Sequence, residues 1–150
     1  MIFCLSIMAY AQTPQDRATE LKKQAQSSLN QKDYIKARYL FKKAYEAFAS
    51  RENYPQAIEC GVQANALYVR ENFYKEGFEL CRDMEQLLWT GEQNKKKVFY
   101  DLRFLINKER LQMYTALKNP AQAKIQLDKL EEMANLAKND SLTEVLLYTK

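Results

Sequence analysis

The chain is 150 residues long, one domain's worth, with 47% hydrophobic and 28% charged residues and only 3 Gly and 3 Pro. This composition favours helices over β-rich or disordered structure. Its 23 Lys+Arg against 19 Asp+Glu leave a net charge of +4, small beside what a dedicated nucleic-acid surface carries, and the absence of histidine excludes Ser-His-Asp and Cys-His catalytic arrangements and histidine-ligated metals built from this chain alone.

Residues Met1 to Ala11 are apolar or small and uncharged, and Ala9-Tyr10-Ala11 before Gln12 has the small-x-small form that signal peptidase accepts. Residues 1–11 are therefore expected to be a signal peptide, too short to span a bilayer, which takes about 20 apolar residues. The remainder, 12–150, is expected to be one helical domain that continues past residue 150 in the native protein.

Thr13-Pro14-Gln15-Asp16 supplies a capping hydroxyl, a proline that loses nothing at a first turn, and an acid at the positive helix end. The first helix then extends to about Asn30 with a stripe of Ala18, Leu21, Ala25 and Leu29. Asp33, Asn53 and Asn72 are polar caps for three further helices, and Thr90-Gly91 is expected to end the last of them. Over these helices a register repeats. Tyr34, Tyr54 and Tyr74 stand at equal spacing, followed by Ala37, Phe41, Ala44, Phe48, then Ala57, Gly61, Ala64, Tyr68, then Gly77, Cys81, Met84, Leu88. The offsets trace one face of an α-helix, with a small residue always first, so that backbones can approach closely. Cys60 and Cys81 fall on successive helices and are expected to be buried free thiols.

A fifth helix is expected from Gln93 to Lys118, apolar on several faces through Val98, Phe99, Tyr100, Leu102, Phe104, Leu105 and Ile106, and then interrupted by Asn107-Lys108-Glu109-Arg110. Residues 92–118 hold seven basic and three acidic groups, beginning with Lys95-Lys96-Lys97. That surplus reads as a solvated face or as a contact for acidic partners or anionic lipid. Asn119-Pro120 restarts the chain, with Ala123, Leu127, Leu130 and Ala134 as the next stripe, and the Ser141-x-x-Glu144 capping box is expected to open a seventh helix.

The segment Lys32-Asp33-Tyr34-Ile35-Lys36-Ala37-Arg38-Tyr39-Leu40-Phe41-Lys42-Lys43-Ala44 resembles the second helix of a tetratricopeptide repeat. Asn53-Tyr54-Pro55-Gln56-Ala57 and Asn72-Phe73-Tyr74-Lys75-Glu76-Gly77 are weaker copies of its start. The resemblance implies an all-α fold of about six to seven helices, antiparallel hairpins stacked as an α-solenoid, with no catalysis of its own. Departures include a helical pair of about 40 residues where the family's repeat has 34. In the carboxylate-clamp subgroup, Lys22 would take a compatible place, but Gln26 stands where asparagine is wanted.

The expected function is a non-catalytic scaffold outside the cytoplasm, exported and periplasmic, that binds a protein or peptide or associates with itself. The alternative is the input region of an exported signal-transduction protein such as a histidine kinase or regulator, attached to the membrane through a downstream segment. Arg38, Tyr39, Lys42 and Tyr45 are the expected partner contacts, because desolvated aromatic and arginine side chains carry most binding energy. No cofactor, metal, nucleic acid or small-molecule substrate is expected. The aromatics of the basic segment follow core periodicity, which leaves no stacking platform for bases.

Overall fold

The computed structural model describes residues 13–148, so the expected signal peptide at 1–11 lies outside the described residues. Six helices follow one another: α1 (Pro14–Asn30), α2 (Tyr34–Ala49), α3 (Tyr54–Arg70), α4 (Tyr74–Lys95), α5 (Tyr100–Ala116) and α6 (Pro120–Tyr148), with no strand among the described residues. Each packs on its neighbour in sequence, and α3 also meets α5. The result is an all-α stack of helical hairpins.

The tyrosines of the register are the first residues of α2, α3 and α4, because one turn recurs before each. Lys32, Glu52 and Asn72 take left-handed backbone angles with φ of 61°, 57° and 61°, and Lys118 does the same at 55°. Each closes the helix behind it with the paired reverse bonds of a Schellman motif. Asp33 N–H donates to Ser28 O at 2.9 Å and Lys32 N–H to Leu29 O at 2.9 Å, and the same pattern ends α2, α3 and α5. Asp33 and Asn53 then cap the next helix by accepting from Lys36 N–H at 3.2 Å and Gln56 N–H at 3.4 Å. Asn72 departs from expectation: it occupies the left-handed position, and Phe73 stands at the cap without a side-chain bond.

The buried core contains Ala37, Phe41, Ala44 and Phe48 of α2, Ala57 and Ala64 of α3, and Cys81, Met84 and Leu88 of α4, as the register requires. Gly61 lies where α2 and α4 both press on α3: a Cβ there would come within 2.5 Å of Met84 Sδ and 3.3 Å of Tyr45 Cδ2. Cys60 and Cys81 are buried and unbonded. Burial pushes their thiols up to about 11 and about 12.

Three boundaries differ from the sequence expectation. Helix α4 runs through Thr90-Gly91 to Lys95, and Lys96, at φ 51°, is the left-handed residue that closes it. Gly91 is glycine for a different reason: a Cβ there would sit 2.5 Å from Cζ of Tyr54, whose ring lies across it. The fifth helix consequently starts at Tyr100 and not at Gln93. At the chain's far end α6 is continuous from Pro120 to Tyr148, so Ser141 opens no separate helix. Its buried and half-buried face is Gln126, Leu130, Met133 and Ala137, while Leu127 of the expected stripe is 52% exposed.

Polar side chains tie the hairpins together. Lys22 of α1 donates to Gln56 Oε1 at 2.8 Å and bridges to Glu59 Oε1 at 3.0 Å on α3. Asn65 Nδ2 of α3 donates to Glu109 Oε2 of α5 at 3.0 Å. Helices α4 and α5 are joined by Arg110 to Glu85 and by Arg103 to Glu92.

Candidate functional site

Helix α2 turns large side chains outward on the face opposite its buried Ala37, Leu40, Phe41 and Ala44. Ile35 is 70% exposed and Tyr39, one turn on, is 61% exposed. Across from them lie Tyr68, near the end of α3, and Phe73 in the following turn. Ile35, Arg38, Tyr39, Lys42 and Tyr68 line a cleft of about 350 Å³.

Arg38 organises this face. Its guanidinium carbon sits 4.9 Å from the centre of the Tyr68 ring and 5.3 Å from that of Phe73, so one cation is held between two aromatic faces. Lys43 lies 5.7 Å from the Tyr39 ring centre and 3.5 Å from Glu46 Oε2. Arg70 is stacked 3.9 Å over Tyr34 beside the same turn. These contacts leave Ile35, Tyr39 and Lys42 as the outward groups of a surface whose cations outnumber its carboxylates.

Three of the four expected contacts, Arg38, Tyr39 and Lys42, therefore meet at one cleft. Tyr45 does not join them. It was expected on the surface but is 8% exposed within the core; burial, with Asp83 and Glu46 adding repulsion, pushes its hydroxyl up to about 12. The reason is that Tyr45 faces α3 at Gly61, the point where Met84 of α4 also packs. Ile35, Tyr68 and Phe73 went unrecognised in the sequence. The spacing of Ile35 and Tyr39 is a readable signal of one helical face, whereas Tyr68 reaches the cleft, and Phe73 its Arg38, only through the packing of α3 on α2.

Elsewhere, Lys22 of the clamp comparison is held by Gln56 and Glu59. Among the described residues no group of three or more Cys, Asp or Glu could hold a metal ion, and no helix is long and apolar enough to cross a membrane. A second cleft, about 600 Å³, opens between α5 and α6 past Leu111, Ala123 and Leu127. The chain matches no protein family, no curated protein and no solved structure. Its class is thus defined by architecture, an all-α stack of helical hairpins.

Proposed function

We propose that this protein is a non-catalytic, tetratricopeptide-like scaffold, exported to the periplasm, that binds a protein or peptide segment on the outer face of α2. The observation that carries the reading is the cleft that Arg38, stacked between Tyr68 and Phe73, lines together with the exposed Ile35 and Tyr39. A pre-positioned arginine and rigid aromatic rings lose little conformational freedom on binding, which is why such groups dominate contact energies. The tetratricopeptide-like part of the reading draws on the hairpin stack and the small-residue register of Ala37, Ala57 and Gly77. Export draws on the apolar segment Met1 to Ala11.

The test is selection from a random peptide library on the immobilised domain, followed by affinity measurement for enriched sequences. Tyr39→Ala and Arg38→Ala, each with an unchanged helical circular-dichroism spectrum, are expected to weaken binding by roughly tenfold or more. Enriched peptides that bind both variants as well as the parent would refute this location. A library with no enriched sequence would refute the function.

A further inference from the structure

We propose that the turn between α4 and α5 is a contact for a bilayer surface that carries anionic lipid. Trp89 and Val98 enter the headgroup layer, and Lys95 and Lys96 meet the lipid phosphates. Trp89 is 54% exposed on the last turns of α4, and Val98 is likewise exposed in the linker that follows. Both line one shallow cleft with Lys96 and Lys97. A tryptophan beside an aliphatic residue and flexible lysines is the combination that settles at a membrane interface, its ring part apolar and part polar.

The carboxylates near the turn are largely withdrawn from its surface. Of the three carboxylates in residues 92–118, Glu92 is bound by Arg103, with Nε 2.8 Å from Oε2, and accepts from Phe99 N–H at 2.8 Å. Glu109 is buried against Asn65. Asp101 alone is exposed among the three, whereas Lys95, Lys96 and Lys97 are all exposed at the turn. The cleft's arginine is committed to Glu92, so the cations the turn presents to a partner are the exposed ammonium groups of Lys95 and Lys96, point charges on long stems. Such groups suit a fluid array of phosphates better than a fixed carboxylate, which is gripped best by a guanidinium fork.

The chain contains 1 Trp, so its fluorescence reports on this turn alone. Titration with phosphatidylcholine vesicles containing phosphatidylserine is expected to give a saturable blue shift that weakens at high salt, with no shift for phosphatidylcholine alone. Lys95→Gln/Lys96→Gln is expected to weaken binding about 30-fold while keeping the emission maximum of the unbound protein. Trp89→Ser, followed by vesicle sedimentation, is expected to weaken binding as well. An unshifted spectrum on anionic vesicles overturns the proposal, as does an equal shift on neutral ones. A shift produced by polyglutamate but not by anionic vesicles also overturns it and reassigns the turn to an acidic protein. None of these readouts involves the α2 cleft.

Discussion

Asn65 and Glu109 form the least expected contact in the molecule. Asn65 is fully buried and donates to Glu109, yet its own Oδ1 accepts no bond. Burial raises the Glu109 carboxyl above its ordinary range, opposed by the Asn65 bond and the Lys108 charge. A carboxyl whose pKa is raised on folding takes up a proton more readily when native than when unfolded. Its contribution to stability is complete below the unfolded carboxyl value, about 4.3, and is lost as pH rises through the folded value. Glutamine at this position could accept from Asn65 Nδ2 and also donate to the unsatisfied Oδ1. Glu109→Gln is therefore expected to be more stable than the parent by about 1 kcal/mol at pH 8, with the difference vanishing near pH 4, as read by urea unfolding at both pH values. In the sequence, Asn107 to Arg110 read as an interruption of an apolar stripe. Asn107 and Glu109 are instead buried, and Asn107 Nδ2 reaches Met133 Sδ of α6 at 3.1 Å. Hydropathy alone cannot distinguish a polar side chain at the surface from one that finds its partner on another helix.

At the scale of the element, the turns carry the information. Helix starts were legible at Thr13, Asp33, Asn53 and Asn119, because a short oxygen-bearing side chain can satisfy free amides there. Helix ends were less so: the end of α1 at Asn30 was legible, that of α4 was not. None of the three glycines has positive φ, and the left-handed positions are held by Lys32, Glu52, Asn72, Lys96 and Lys118. A side chain in that conformation costs about 1 kcal/mol relative to glycine. Lys32→Gly and Lys118→Gly are each expected to raise stability by roughly that amount, partly offset by the greater freedom glycine gives the unfolded chain. Because the two sites lie in different turns, the gains should add in thermal or urea unfolding of the double variant. A loss of stability in either single variant would mean that its turn is formed differently. The ending expected at Gly91 failed for the complementary reason: that glycine makes room for Tyr54, a neighbour distant in sequence.

Across the whole molecule, the repeated small residue sets how hairpins stack. Ala37 and Ala57 are fully buried, and Gly77 takes the same place in α4. Ala37→Leu should wedge α2 from its neighbours and cost about 1 to 3 kcal/mol, whereas Lys36→Leu on the exposed side should change stability by less than about 0.5 kcal/mol. Equal effects in urea unfolding would mean that the register does not govern packing. The core of α2 to α4 was readable because each of these helices packs on a neighbour to either side and its apolar stripe must face inward. The register faded at α6, which packs chiefly on α5; with little to cover its opposite side, Leu127 remains in the open cleft while Gln126 is buried. Of the candidate site, Arg38, Tyr39 and Lys42 could be found from α2 alone, but the loss of Tyr45 and the arrival of Tyr68 and Phe73 depended on how α3 and α4 fold over it.

At the corners of the stack a single residue serves two helices. Asn119 donates its N–H to Tyr114 O at 2.9 Å, ending α5, and its Oδ1 accepts from Gln122 N–H at 3.2 Å, opening α6; Asp33 and Asn53 work the same way. One added or deleted codon at such a corner would undo the close of one rod and the start of the next together. Descendants of this gene can thus vary in spelling along exposed helix faces away from the α2 cleft and the 95–98 turn, while changes of length are filtered out at the three corners.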